Sequence, residues 1–119
     1  MEENNKLIAE FLGWEKIYLE GCVAYTLPES LADPIYKLDS RFILEFDSNW
    51  NWLMEVVEKI EKEFCSTNIH YYSQKQIYSV DFSGFNIKYE ESEYGNNKLK
   101  ILYESVIKFI NFYNKQKEE

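Results

Sequence analysis

The 119-residue sequence is poor in the residues on which the commonest catalytic and phosphate-binding motifs depend. It has one histidine (His70), one arginine (Arg41), two cysteines, two prolines and four glycines. With one imidazole, every two-histidine metal motif is excluded, and a Ser-His or Cys-His mechanism must run through His70. So few glycines leave no room for a glycine-rich phosphate loop, and neither GxSxG nor HExxH occurs. With one arginine, there is a single candidate for forked recognition of a phosphate. Cys22 and Cys65 lack CxxC spacing and read as reduced thiols. No apolar run approaches the ~18 residues of a membrane span, and Met1-Glu2-Glu3-Asn4 does not read as the start of a signal peptide. A net charge of −8 disfavours a nucleic-acid backbone as partner.

Aromatic residues are abundant: 3 Trp, 10 Tyr and 8 Phe make up 18% of the chain. Together with 45% apolar residues they exclude intrinsic disorder, and the length suits one compact domain over residues 1–119.

Periodicity predicts three helices. Leu7, Ile8, Phe11 and Leu12 recur at helical spacing over Asn4–Gly13, with Asn4 or Asn5 as cap and Gly13 as stop. Leu53, Val56, Val57, Ile60 and Phe64 form the stripe of a central helix capped by Asp47 or Ser48, with Glu55–Lys59 and Glu58–Lys62 as ion pairs on its wet side. Leu99, Leu102, Tyr103, Val106, Ile107 and Ile110 mark a closing helix from about Lys98 to Tyr113, and Lys115–Glu119 should fray.

Strands are expected over Lys16–Glu20 and Cys22–Leu27, joined at Glu20-Gly21, and over Arg41–Phe46, where Phe42, Leu44 and Phe46 share a face. Three more are expected over Asn68–Tyr72, Gln76–Phe82 and Phe85–Glu90, the last two joined at Ser83-Gly84. The fold class is α+β: an antiparallel sheet of about 4–6 strands with the two long helices packed on one face.

His70 lies opposite Ile69 and Tyr71 in its strand and reads better as an exposed or satisfied residue than as a catalyst. Asp81 has no carboxylate partner at useful spacing. The aromatic surplus points instead to binding. On the central helix, Trp50 falls about 60° to one side of the stripe and Trp52 about 100° to the other. Either the rings seal the first helical turn, or one walls a groove where helix N-terminal amides and Arg41 meet an anion. Tyr36, in the long Leu27–Ser40 segment that holds both prolines, is a further candidate ligand contact. Phe109 lies about 90° off its helix stripe and Phe112 nearly opposite it. They read either as a self-association patch or as rings covered by the first helix or by the Leu27–Ser40 segment.

Three stretches, NKLIAEFLGW (Asn5–Trp14), SNWNWLMEVVEKIE (Ser48–Glu61) and LYESVIKFINFYNK (Leu102–Lys115), resemble a family of small proteins encoded by tailed bacteriophages and prophages. The W-x-W-L-M-x-V-V-E-K-I-E run is the most specific. Relatives often carry a proline where this chain has Glu55, and a histidine where it has Asp47. The resemblance implies an accessory protein of the infected host's cytoplasm, of a kind that often counters host defence. Some such proteins sequester cyclic nucleotide or ADP-ribose-derived signals, and others bind a defence protein directly. The expectation is thus a non-enzymatic, homo-oligomeric binder without cofactor or metal, stacking a base on Trp50 or Trp52. A protein-binding inhibitor using the acidic surface or the Phe109/Phe112 patch is the alternative, and a small enzyme using His70 ranks third.

Overall fold

The computed structural model describes residues 2–28, 30–31, 40–41, 43–64, 66–74, 77–83, 92–95 and 97–118. The first helix, α1, covers Glu2–Leu12. It ends where the sequence demands: Gly13 takes φ +76°, its amide donates to the Glu10 carbonyl, and the Trp14 amide donates to the Ala9 carbonyl. These two bonds form a Schellman cap, which turns the Trp14 side chain back toward the core.

Strands β1 (Lys16–Leu19) and β2 (Cys22–Thr26) form a hairpin in which Leu19 pairs with Cys22. Its two connecting residues, Glu20 and Gly21, both have positive φ, as a type I′ turn requires. Strand β3 is only Ser40–Arg41, paired to Thr26 and Tyr25. The expected strand to Phe46 does not form. Beyond Arg41 the alternation survives in burial, with Ile43 exposed and Leu44 and Phe46 buried. The hydrogen bonds go elsewhere: Leu44 O accepts from Asn5, and Glu45 O accepts from the amides of Ser48 and Asn49. That turn delivers the chain into α2 (Trp50–Glu63), whose N-cap is Asn49, its side chain accepting from the Asn51 amide. Asp47 and Ser48 therefore do not cap this helix.

Strands β4 (Ser66–Tyr72), β5 (Ile77–Ser83) and β6 (Ser92–Gly95) form a second antiparallel sheet, and α3 runs from Lys98 to Glu118. Asn97 caps α3 by accepting from the Lys100 amide. Strand β6 lies outside the strands expected from the sequence. The expected strand over 85–90 and its hairpin at Gly84 lie outside the described residues.

The class is α+β, but among the described residues the strands divide into two three-stranded sheets, β1-β2-β3 and β4-β5-β6, instead of one. The chain leaves the first sheet after Arg41 and enters α2 without adding a strand that would bridge to β4. Helix α3 packs on β5 and β6, α2 on β4, and α1 against both long helices. Ile8, Leu53, Val56, Ile60, Val80, Phe82, Leu102 and Val106 form the centre, all with no solvent exposure. Among the described residues no helix is long and apolar enough to cross a membrane.

Candidate functional site

The side chains singled out from sequence are dispersed. Trp52 is 4% exposed, its ring 5.6 Å from Trp14 and 5.4 Å from Phe46 in edge-on contacts. Although it lies farther from the α2 stripe than Trp50, it is the one buried, because Trp14 and Phe46 widen the core on its side. Stacking on a ligand is therefore not open to Trp52. Trp50 is 41% exposed, with the Lys98 ammonium 5.9 Å from its ring centre. Arg41 stands opposite Tyr25 in β3, its side chain outside the described residues, as is Tyr36.

Phe109 has no exposure and so cannot be the centre of a self-association patch. Phe11 meets it edge-on at 6.3 Å, with Phe64 at 5.8 Å and Phe82 at 5.5 Å. Helix α1 supplies this cover, which was one of the two alternatives open in the sequence. Phe112 is half-buried against the core. His70 is exposed on the polar face of β4, opposite Ser79, and neighbouring Asn68 donates to Asp81 at 3.2 Å. No group of three or more His, Cys, Asp or Glu among the described residues is placed to hold a metal.

Two other features are assembled. One is a buried polar node. Asn5, expected as a cap, lies inside α1 and is 5% exposed. Its Nδ2 donates to Leu44 O and to Asp47 Oδ1, both at 3.0 Å, while its Oδ1 accepts from the Tyr103 hydroxyl at 2.9 Å. Burial, reinforced by the nearby Asp47 charge, pushes the Tyr103 phenol up to about 12. The node ties α1, the 43–49 turn and α3 together and is structural.

The other is a cleft of about 290 Å³ between the last turns of α1 and α2 and the end of α3. Its floor is aromatic: Phe11 lies 5.6 Å from Tyr113 and 6.0 Å from Phe64, and Phe64 lies 4.8 Å from Tyr113. Two lysines flank it, and two glutamates, Glu10 and Glu63, share the rim. Lys59 donates to the Phe11 carbonyl at 2.6 Å with its ammonium 4.8 Å from the Phe11 ring centre, and Lys117 sits 5.7 Å from that of Tyr113. Lys59 thus caps the end of α1 where an ion pair with Glu55 was expected, and Glu55 accepts from Ser30 Oγ instead. Glu10 on the rim pairs with Lys16 at 2.8 Å, a hydrogen bond and charge contact that raise the Lys16 pKa.

Periodicity does not reveal this cleft, because Phe11 and Phe64 fall on core stripes and Lys59 on the wet side of its helix. The available signal was that Tyr113 continues Phe109 by one helical turn beyond the stripe, where the last apolar rings have no further helix to cover them. No family model matches the chain, and no curated protein or solved structure shows significant similarity to it.

Proposed function

We propose that the chain is a non-enzymatic accessory protein of a tailed bacteriophage. In this reading it works in the cytoplasm of the infected bacterium by binding, and so withholding, a small nucleotide-derived signal of the cyclic nucleotide or ADP-ribose-derived kind. The binding half of the proposal is carried by one observation: the cleft combines an aromatic floor of Phe11, Phe64 and Tyr113 with ammonium groups from Lys59 and Lys117. An aromatic floor suits a base, and two cations suit the phosphate attached to it. Its volume is at the lower end of the roughly 300–1,000 Å³ usual for ligand sites. It therefore suits one base with its phosphate, and a larger cyclic ligand would leave its second half outside. The phage and host-defence half rests on the resemblance of the three helix sequences.

The test is a thermal-shift screen with mononucleotides, cyclic mono- and dinucleotides and cyclic ADP-ribose isomers, followed by recovery of the ligand. A ligand of this class at a hundredfold excess over its Kd stabilises the fold by about 2.7 kcal/mol and is released chemically unchanged. Loss of a stacking ring costs about 1–3 kcal/mol, so Tyr113→Ala should weaken binding about fivefold or more, and Lys117→Ala should weaken it with a reduced salt dependence. No stabilisation by any member of the panel overturns the ligand class, and conversion of the ligand overturns the non-enzymatic reading.

A protein-binding inhibitor is the second reading. It is favoured by the outward placement of Ile43, 80% exposed, and Tyr18, 74% exposed. Capture of one defence protein that is lost on Ile43→Asp, with no response to nucleotides, would establish it in place of the first.

A further inference from the structure

Each three-stranded sheet has two edge strands, and an open edge invites pairing unless something blunts it. In β1 the edge carries Lys16, in β3 it is two residues long and includes Arg41, and in β6 it is four residues long and includes Glu93. Strand β4 differs from all three. It is seven residues long, Ser-Thr-Asn-Ile-His-Tyr-Tyr, and contains no Asp, Glu, Lys, Arg or Pro. No described strand pairs with it on the side away from β5.

Its side chains facing the helix layer are also incompletely covered. In register, Ile69 lies opposite the fully buried Val80, and Tyr71 lies opposite Tyr78, with the two tyrosine rings 4.8 Å apart. Yet Ile69 is 40% and Tyr71 54% exposed. The apolar face of the sheet thus continues to the edge at β4, beyond which no described strand lies.

We infer that β4 pairs antiparallel with β4 of a second copy of this chain about a two-fold axis at Ile69, joining the two sheets into one of six strands. The sequence of the strand is self-complementary in that register. Ile69 meets Ile69 of the second copy, Thr67 meets Tyr71, and Asn68 meets His70. Apolar and β-branched partners fall on the face that continues the core, polar partners fall on the other, and no like charges are placed opposite each other. Two chains of net charge −8 repel each other overall. A seven-residue uncharged segment offers a line along which they can approach. The two-fold at Ile69 is permitted whether that position is a hydrogen-bonded or a non-hydrogen-bonded pair, because both kinds of site are symmetric in an antiparallel ladder. This interface stands apart from the α1–α2–α3 cleft and does not rest on the ligand reading.

The register makes the inference testable by cross-linking. In a Cys22→Ser, Cys65→Ser background, Ile69→Cys places its two sulfurs on the axis, with Cα atoms about 4.5–5.5 Å apart, inside the ~4.4–6.8 Å range of disulfides. Tyr71→Cys separates its two copies by about 13 Å or more, four residues of strand. Under mild oxidation the first variant should form a covalent dimer and the second should not. Light scattering of the unaltered chain should show a mass rising with concentration from 14.4 kDa toward twice that value, and Ile69→Lys should hold it at 14.4 kDa with an unchanged far-ultraviolet spectrum. A chain that stays monomeric at every concentration overturns the inference, as does equal cross-linking of the two cysteine variants. If Ile69→Lys fails to fold, the cysteine pair still decides.

Discussion

Asn5→Asp exchanges one atom of the buried node and should be among the most damaging isosteric changes available to this protein. In the native chain the Asn5 amide gives one hydrogen bond to the Leu44 carbonyl and one to the Asp47 carboxylate, both at 3.0 Å. A carboxylate in its place turns two donors into a negative oxygen facing a carbonyl and a second carboxylate, where the side chain is 5% exposed. Held ionised about 4 Å from the Asp47 charge, it suffers a repulsion of about 4 kcal/mol at an effective dielectric of 20. The alternative is to bind a proton. From an unfolded pKa near 3.9, that costs about 4 kcal/mol at pH 7, at about 1.4 kcal/mol per pH unit. The protonated acid regains one of the two lost donors, so the unmade bond adds about 1 kcal/mol. The sum is about 5 kcal/mol at pH 7, comparable to the whole stability of many domains.

The sign with pH is fixed. The new carboxyl has a folded pKa above its unfolded one, so the folded state binds more protons between those two values. The penalty is full above the folded pKa, shrinks as pH falls, and by about pH 4 is down to about 1–2 kcal/mol. Asn5→Leu is the control, since it loses all three bonds of the node without introducing a titrating group and should show the smaller slope. Urea unfolding of both variants at several pH values between 4 and 7, each referred to the unaltered chain at the same pH, gives the comparison. Parallel pH profiles for the two substitutions would refute the node as described.

Trp52→Ala should cost about 3–5 kcal/mol by emptying the space between Trp14 and Phe46, whereas Trp50→Ala should cost under about 1 kcal/mol; chemical denaturation of the pair measures the difference. Gly13→Ala should cost about 1 kcal/mol from backbone conformation alone, since an added Cβ meets nothing within 4 Å and only the φ of +76° opposes it; a change in thermal midpoint checks this. The Tyr103 phenol, pushed up to about 12 from an ordinary value of 10, stabilises the fold below pH 10 and loses that contribution as pH rises from 10 through 12. Tyr103→Phe should be less stable at pH 7, through the unpaired Asn5 Oδ1, by about 1–3 kcal/mol. It should also decline less steeply in alkali, as read by urea midpoints at pH 9.5 and 11.

Local chemistry suffices to place α1 and the β1–β2 hairpin, because each is bounded by a residue with a specific backbone demand, whereas α2 is placed by its apolar stripe and its cap falls at Asn49. Gly13 accepts the left-handed conformation of a helix stop, and Glu20-Gly21 fits a two-residue turn. Strand β3 is shorter than its alternation implies for a physical reason: alternation of buried and exposed residues through Ile43, Leu44 and Phe46 requires only an extended chain against a core, not a ladder of hydrogen bonds. At Leu44 the carbonyl is taken by Asn5, about forty residues away, and not by a neighbouring strand. No local pattern reports an acceptor claimed from that distance. The division into two sheets was hidden likewise, since pairing partners are chosen by the whole fold.

The misplaced aromatics have one common cause. A helical wheel assumes that the core meets a helix along one stripe, and in this fold rings from other elements widen the core at both ends of α2. Near its start, Trp14 and Phe46 reach around to enclose Trp52; near its end, Phe11 from α1 and Phe109 and Tyr113 from α3 surround Phe64. Phe82 from β5 completes the cover over Phe109. A ring 90° or 100° off the stripe is therefore buried whenever a neighbouring element ends beside it with a ring of its own. The same geometry explains why the cleft opens where it does. At the converging helix ends no further backbone continues to cover the last rings, so Phe11, Phe64 and Tyr113 keep one side toward solvent and the lysine stems lie over them. Among the described residues most of the aromatics fill or pack against the core, and those left at the surface include two groups with different chemistry: a lysine-flanked cleft suited to a small anion-bearing ring, and an uncharged strand edge suited to its own copy.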